Sequence, residues 1–482
     1  RKIGDAPDVV LQVHAASFRL RAGGHGVGSP PRSGNLGDMM SETSLRNADI
    51  DAALAEVKQD YIARNPKSLA RHVEATAVMP GGNTRTVLHY DPFPVAVAHA
   101  EGCRLRDMDG AEYVDFLGEY TAGIYGHSHP AIRAAVDRAM GAGINYGAHN
   151  LIEARFARAV CDRFGLERVR FTNSGTEANL MALVTARAFT GRSRILVFTG
   201  GYHGAVFTFA GGGSPINAPF DFVQATYNDT AGAVATIEHE GEHLAAIILE
   251  PMMGGGGCIA AEPAFLRALR DAATRVGALL IFDEVMTSRL APNGLARARG
   301  VTSDLTTLGK YVGGGMSFGA FGGRADILDR FDPRRPDALP HAGTFNNNVL
   351  TMSAGLTGIS EVYTQAASIA LNARGEALRM RLNALCEAAD APIQFTGIGS
   401  MLAFHAMRGP VRSPSDAARG DAKLKELFFF DMLAQGIWLA RRGMMTLSLP
   451  IGDAECDKLA GAVEEFLSGR RSLLHQGAAA VR

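Results

Sequence analysis

Between residues 169 and 282, short apolar runs alternate with segments of helical pattern, and this alternation limits the possible folds more than any other feature. The four runs are VRF (169–171), RILVF (194–198), AAIIL (245–249) and ALLIF (278–282). Helix-forming stretches such as TEANLMALVTARAF and PAFLRALRDAATRV lie between them. Strands that are apolar along their whole length are typical of a parallel sheet with helices on both faces. We therefore predict an α/β fold with a mostly parallel central sheet.

The pattern differs on either side of this region. Helical spacing over residues 45–78 leads into short strand-like segments, and long amphipathic stretches after residue 350 indicate a smaller α+β domain. The predicted parts are an N-terminal segment that packs with the small domain (45–105), a large domain (106–350), the small domain (351–470) and a tail (471–482).

The first 44 residues are left out of the predicted fold. They are rich in glycine and proline and contain no apolar core of signal-peptide length. We expect residues 1–44 to be a disordered or non-native extension, with Met39 or Met40 as the natural start.

Composition excludes several classes of partner. The chain has 482 residues, 20% of them charged, and a formal net charge of −1. Without a polybasic run, neither nucleic acid nor an anionic membrane is an expected partner, and no apolar run is long enough to span a bilayer. The five cysteines are dispersed and show no zinc-ligand spacing. This pattern indicates a cytoplasmic protein without a metal site.

Two predicted strand ends carry residues suited to a ligand. Ser174, Gly175 and Thr176 follow the first run, where a strand passes into a helix, and can bind an anion such as phosphate. The same residues are also typical of a helix cap. Tyr202 lies between glycines after the second run, where it can stack on a planar ligand or form an ordinary surface turn.

Two charged residues follow later strands. Asp283 comes directly after ALLIF, either as a solvated strand end or as the partner of a cation, and Val285 returns to the same face if the strand continues. Lys310 lies in a stretch (302–323) with almost no other charge. Burial lowers the pKa of an amine and favours nucleophilic or Schiff-base chemistry. The alternative is a lysine that ends its element and reaches water.

These four strand ends together match the needs of one cofactor. Pyridoxal phosphate requires a lysine for an imine bond, a carboxylate for its ring nitrogen, an aromatic side chain against its ring and a phosphate site. All four occur in this chain, so the sequence predicts a pyridoxal phosphate enzyme.

Longer segments carry a family resemblance. FTNSGTEANLMAL, GGYHG, IFDEVMTSR, DLTTLGKYVGGGMSFGAFGG and AGTFNNN resemble the motifs of class III aminotransferases, which have the fold type I architecture. The resemblance extends from about Leu45 to about Leu467. Within the class, GGNTRTVL, GEYTAGIYGHSHP and RRGMMTLSLP are similar to the aromatic β-amino acid (β-phenylalanine) aminotransferases. This resemblance implies transfer of the amino group of an aromatic β-amino acid, such as (S)-β-phenylalanine, to 2-oxoglutarate or pyruvate.

The resemblance also implies roles at the cofactor. Lys310 would form the Schiff base, and Asp283 would pair with the pyridine nitrogen. Tyr202 and Val285 would pack against the two ring faces, while the phosphate would bind to the segment Ser174-Gly175-Thr176.

Two further positions concern the subunit contact and a departure from the family. Thr344 would reach the phosphate of the neighbouring subunit's cofactor, which implies a homodimer with shared sites. Met253 stands where many members have a glutamine that bonds the cofactor's phenolic oxygen, so that contact must come from elsewhere.

Two arginines are candidates for binding substrate carboxylates, because a planar guanidinium binds a carboxylate bidentately. Either could equally be a surface residue. The resemblance implies that Arg85 holds the carboxylate of the β-amino acid and that Arg442 receives the α-carboxylate of the oxo acid. Arg441 is adjacent, and Arg442 is favoured because it keeps the spacing to LSLP.

Two other functions compete with this one. Glutamate-1-semialdehyde aminomutases are also class III, but they usually carry a tryptophan near the position of Tyr120, and the only tryptophan here is Trp438. A catalytically inactive binding protein with the same fold is the second alternative. Retention of Lys310, Asp283 and the phosphate segment argues against it.

Overall fold

The computed structural model describes residues 49–479, and the predicted extension over 1–44 lies outside this range. The helices are α1 (Ile50–Arg64), α2 (Pro66–Thr76), α3 (Pro130–Ala142), α4 (Glu153–Phe164), α5 (Gly175–Thr190), α6 (Thr230–Glu240), α7 (Pro263–Val276), α8 (Leu295–Ala298), α9 (Ala325–Leu328), α10 (Val349–Thr357), α11 (Gln365–Ala388), α12 (Pro414–Ala417), α13 (Ala422–Ala434), α14 (Asp453–Gly469) and α15 (Arg471–Ala479). Among these helices, none is long and apolar enough to cross a membrane.

The strands are β1 (Val97–Glu101), β2 (Arg104–Asp107), β3 (Glu112–Asp115), β4 (Arg168–Thr172), β5 (Arg194–Phe198), β6 (Asp221–Ala225), β7 (Leu244–Leu249), β8 (Met252–Met253), β9 (Ile259–Ala260), β10 (Leu279–Asp283), β11 (Leu305–Gly309), β12 (Gly319–Gly323), β13 (Gln394–Ile398), β14 (Met401–His405), β15 (Ile437–Trp438) and β16 (Met444–Thr446). The four apolar runs that predicted strands correspond to β4, β5, β7 and β10.

The central sheet has seven strands in the order β4-β12-β11-β10-β7-β5-β6. Strand β12 is antiparallel to both of its neighbours, and the other pairings are parallel. The predicted mostly parallel sheet is therefore confirmed, with one antiparallel strand that the sequence did not reveal.

Both faces of the central sheet are covered by helices. Successive residues of β5 point to opposite sides, so that Ile195 packs with α5 in one core and Leu196 packs with α7 in another. All six residues of β7 are buried. This double coverage explains why the central strands read as continuous apolar runs.

Three smaller sheets lie outside the central one in residues 49–479, and one of them is the two-stranded sheet β8-β9. The order β1-β2-β3-β15 joins strands from both ends of the described chain, and β13-β14-β16 forms the third sheet. Helix α1 packs on α13, where the rings of Tyr61 and Phe430 lie 5.4 Å apart. The boundaries proposed at residues 105, 350 and 470 stay predictions.

Candidate active site

A cleft of about 480 Å³ lies beyond the carboxyl ends of the central strands, the position at which open α/β sheets bind ligands. Residues that follow β4, β7, β10 and β11 contribute to its wall. Eight of the ten predicted site residues line this cleft: Arg85, Ser174, Gly175, Thr176, Tyr202, Asp283, Val285 and Lys310. Arg442 and Thr344 are not among the residues that line it.

The segment that begins α5 forms one side of the cleft. Ser174 is the N-cap residue, and its hydroxyl accepts a hydrogen bond from the Glu177 amide at 3.1 Å. A Cβ atom on Gly175 would lie 2.9 Å from a methyl group of Val285. The helix therefore approaches the end of β10 closely only because residue 175 is glycine. The segment is a helix cap that also presents an exposed helix N-terminus to the cleft.

Lys310 follows β11 in a strained backbone conformation. Its φ is +53°, in the left-handed region that a lysine adopts at a cost of about 1–2 kcal/mol. Burial lowers the pKa of its amine, while the carboxylates of Asp283 and Glu250 act in the opposite direction. Burial is the larger effect, so the amine loses its proton more readily than an exposed lysine would.

Asp283 ends β10 and is only 4% exposed. One carboxylate oxygen accepts hydrogen bonds from Asn179 Nδ2 and lies 2.8 Å from His203 Nδ1, and the other accepts from the Val285 amide at 3.0 Å. Asn179 is held in turn by the Thr307 hydroxyl, which donates to Asn179 Oδ1 at 2.6 Å. Residues from α5, β11 and the loop after β5 thus fix the orientation of this carboxylate.

Glu250 is a second buried carboxyl group in the cleft, and the sequence analysis did not single it out. Its oxygens accept hydrogen bonds from the amides of Tyr202 at 3.2 Å and Gly254 at 3.0 Å. Burial raises its pKa to about 7; His203 acts against this shift and Asp283 adds to it. Because Glu250 directly follows the run AAIIL, the rule that identified Asp283 could also have found it.

Both candidate arginines lie close to the ring of Tyr120. The Arg85 guanidinium is 6.0 Å from the centre of the Tyr120 ring, and that of Arg442 is 5.0 Å from it. Arg85 Nη1 donates to a carboxylate oxygen of Glu119 at 2.6 Å. Arg442 Nε is buried without a hydrogen-bond partner among residues 49–479, and its Nη2 donates a hydrogen bond to the sulfur of Met444 at 3.4 Å. Arg442 therefore has unused donors within the protein.

Two other predicted positions lie away from the cleft wall. Met253 is 1% exposed and packs in the core that α7 covers, so it does not face the cleft. Thr344 is exposed on the loop that precedes α10. The adjacent Arg441 is exposed, whereas Arg442 is partly buried.

Comparison with known proteins identifies the family. The class III aminotransferase family profile matches residues 87–467, most of the chain.

The chain belongs to the class III aminotransferases.

Its similarity to characterised members extends over nearly their whole length. It is 54% identical over 431 residues to the β-phenylalanine transaminase of Variovorax paradoxus, covering 89% of this chain and 99% of that protein. The crystal structure of the β-phenylalanine aminotransferase from that organism matches with a TM-score of 0.87, over 88% of this chain and 99% of that one. A glutamate-1-semialdehyde 2,1-aminomutase of Sorangium cellulosum is 40% identical over 394 residues, covering 78% of this chain and 90% of that protein. These findings confirm the predicted family, fold type I and transaminase activity.

The cofactor of this class III aminotransferase is pyridoxal 5′-phosphate, and the cleft fits it. The start of α5 offers a hydroxyl, free helix amides and the positive end of the helix dipole to a phosphate group. Asp283 receives three hydrogen bonds, so that about one of its roughly four acceptor positions is left for a protonated ring nitrogen. Lys310 contributes the amine.

Proposed function

We propose that this aminotransferase transfers the amino group of an aromatic β-amino acid, such as (S)-β-phenylalanine, to 2-oxoglutarate or pyruvate. The name of the 54% identical Variovorax paradoxus relative supports the donor. The observation that carries the proposal is that the guanidinium groups of Arg85 and Arg442 lie 6.0 and 5.0 Å from the centre of the same ring, that of Tyr120. Two guanidinium groups near the same ring allow two different carboxylates to be bound in turn.

The two arginines would divide the substrates between them. Arg85 lines the cleft and would hold the carboxylate of the β-amino acid, which lies one carbon farther from the amine than an α-carboxylate does. Arg442 would receive the α-carboxylate of the oxo acid, using the buried Nε that has no partner in the described chain. The burial of this group strengthens its interaction with an anion.

The remaining residues of the cleft would bind the cofactor and transfer one proton. Pyridoxal phosphate supplies an electron-accepting ring that carries the amino group between the two substrates. Asp283 would keep the ring nitrogen protonated, and the α5 N-terminus would bind the phosphate. Tyr202 and Val285, both in the cleft wall, would pack against the ring. The neutral amine of Lys310 would remove the proton from the amine-bearing carbon of the donor.

We further propose a cytoplasmic homodimer with shared active sites. All five cysteines are free thiols, which supports a reducing compartment. Phe345, Leu151 and Tyr146 are exposed near Thr344, with Leu151 at 92%. Their loops are joined by a hydrogen bond from Asn150 Nδ2 to the Asn347 carbonyl. An apolar surface of this kind supports a subunit interface around Thr344.

The proposal is tested by following the visible absorbance of the purified holoenzyme. Addition of (S)-β-phenylalanine without an acceptor should convert the cofactor to its amine form, and 2-oxoglutarate should restore the original spectrum. The Lys310→Ala variant should show neither change. A spectrum that ignores the β-amino acid would overturn the donor assignment. If the spectrum responds to glutamate-1-semialdehyde instead, the aminomutase alternative is favoured.

A further inference from the structure

The segment Gly118–Thr121 has a backbone that most residues avoid. All four of its residues have positive φ: 52° at Gly118, 47° at Glu119, 52° at Tyr120 and 83° at Thr121. Left-handed residues other than glycine usually occur singly, whereas three follow one another here. Such strain persists only where the surrounding structure fixes it, and it is concentrated at functional sites.

Several contacts hold this left-handed turn in place. Asp115 accepts hydrogen bonds from the amides of Leu117 and Gly118 at 2.8 and 2.9 Å. The Thr446 hydroxyl donates to the Leu117 carbonyl at 2.8 Å. The buried Arg289 reaches the Thr121 carbonyl at 3.4 Å. The turn is therefore supported from both ends.

The turn directs two consecutive side chains at the proposed substrate arginines. The Tyr120 ring lies near both Arg85 and Arg442, and its hydroxyl donates to the Val87 carbonyl at 3.3 Å. The Glu119 carboxylate bonds Arg85 Nη1 at 2.6 Å. The Glu119 carboxylate thus binds the same guanidinium group that would hold the substrate carboxylate.

We propose that Glu119 is an internal competitor for Arg85, which a substrate carboxylate must displace in order to bind. The inference rests on the proposed role of Arg85 and adds a specificity-determining residue to that site. The Arg85 and Glu119 side chains are 46% and 52% exposed, so their ion pair is weak enough for a substrate to break. A ligand without a carboxylate gains nothing from Arg85 and leaves the ion pair intact. Glu119 therefore weakens the binding of ligands that carry a carboxylate and leaves the binding of uncharged ligands unchanged.

The test measures binding of 3-phenylpropanoate to the holoenzyme by isothermal titration calorimetry. This molecule has the aryl and carboxylate groups of the proposed donor but no amine, so it cannot react. Glu119→Gln should bind it about two- to fivefold more tightly than the wild type, the range expected for removing a half-exposed ion pair. The uncharged 3-phenylpropanamide should show no such gain. If the affinity rises for 3-phenylpropanoate and not for 3-phenylpropanamide, the effect is competition for Arg85 and not a general change in structure.

Two further variants complete the experiment. Glu238→Gln breaks a similarly exposed pair with Arg275, 2.8 Å apart, and should leave binding unchanged. Glu119→Asn provides a second removal of the carboxylate, because asparagine tolerates left-handed backbone. If neither Glu119 variant binds 3-phenylpropanoate more tightly, the competitor role is wrong.

Arg85→Gln distinguishes this failure from failure of the proposed function. If Arg85→Gln weakens binding of 3-phenylpropanoate at least tenfold while the Glu119 variants have no effect, the donor site stands and only the competitor role is overturned. If Arg85→Gln binds the carboxylate as well as the wild type does, the assignment of Arg85 to the donor is itself overturned.

Discussion

At the scale of single residues, the cleft contains more buried charge than the sequence indicated. Glu250, His203 and Asp283 form one group, in which Glu250 accepts the Tyr202 amide and His203 lies against Asp283. A buried carboxyl group is costly to ionise unless its environment compensates. The protonation of Glu250 should therefore affect the stability of the site.

The pKa of Glu250 predicts how stability depends on pH. In the native state it is raised to about 7, from an ordinary value of 4.5. The folded protein thus binds this proton more tightly than the unfolded chain does. The stabilisation is complete below pH 4.5 and is lost as the pH rises through 7. A variant whose side chain at position 250 cannot ionise should not lose this stabilisation.

Glu250→Gln keeps an oxygen acceptor for the two amides and removes the charge. Relative to the wild type, its free energy of unfolding should rise by about 2–3 kcal/mol between pH 5 and pH 8. Equilibrium urea unfolding of both apoproteins at the two pH values measures this difference. A difference that stays constant across this range would show that Glu250 has the same pKa in the folded and unfolded states.

At the scale of elements, the sequence predicted four strands of the central sheet and missed β12, which consists mostly of small residues. Continuous apolar runs identified β5, β7 and β10 because nearly all of their residues are buried, and the short run VRF identified the less buried edge strand β4. Strand β12 has the sequence GAFGG, which carries little strand propensity. Its place between β4 and β11 depends on close backbone approach: a Cβ atom on Gly319 would lie 2.0 Å from the Ser174 carbonyl oxygen. Local pattern cannot reveal such a contact.

In the candidate site, too, the sequence pattern predicted some residues and missed others. The strand-end rule found Asp283 and Lys310, and it applies equally to Glu250. It could not find Asn179, which lies within α5 and meets Asp283 only because the helix packs across that strand end. Hydrogen-bond partners that lie on neighbouring elements can be identified only from the tertiary structure.

The amino-terminal ends of the central strands, opposite the cleft, contribute to stability but not to catalysis. Asp304 precedes β11, about 15–20 Å along the strand from Lys310. Its carboxylate accepts hydrogen bonds from Arg270 at 2.7 Å, Arg324 at 2.8 Å and the buried amide of Leu280 at 2.8 Å. Asp304→Ala should therefore lower the free energy of unfolding by about 2–4 kcal/mol without changing the donor KM.

Urea unfolding and steady-state kinetics of the holoenzyme check this prediction. Asp326→Ala is the matched control, because it removes an exposed carboxylate from the same Arg324 and should cost less than about 1 kcal/mol. A loss of stability from Asp304→Ala no larger than that of the control would contradict the predicted role of Asp304 in stability. A raised KM would contradict its independence from the active site.

At the scale of the whole molecule, the two ends of the described chain build one sheet. The short strand β15 pairs in parallel with β3, at Ile437 opposite Val114. Arg442 follows this pairing closely in sequence, and Glu119 and Tyr120 follow β3. The same sheet therefore positions Arg442 and the left-handed turn beside each other. This juxtaposition could not be predicted from either segment alone, because it depends on a contact between residues more than 300 positions apart.

A shared-site dimer makes a prediction that a monomeric site does not. If Thr344 completes the phosphate site of the partner subunit, Thr344→Asp should place a negative charge against that phosphate and abolish activity, whereas Thr344→Ser should retain it. Lys310→Ala should be inactive as well. Refolding the two inactive chains together in equal amounts makes half of the dimers hybrid, each with one intact site. The mixture should regain about one quarter of the wild-type activity. Activity no greater than the sum of the separate variants, in a mixture shown by sedimentation to contain dimers, would place Thr344 outside the partner's site.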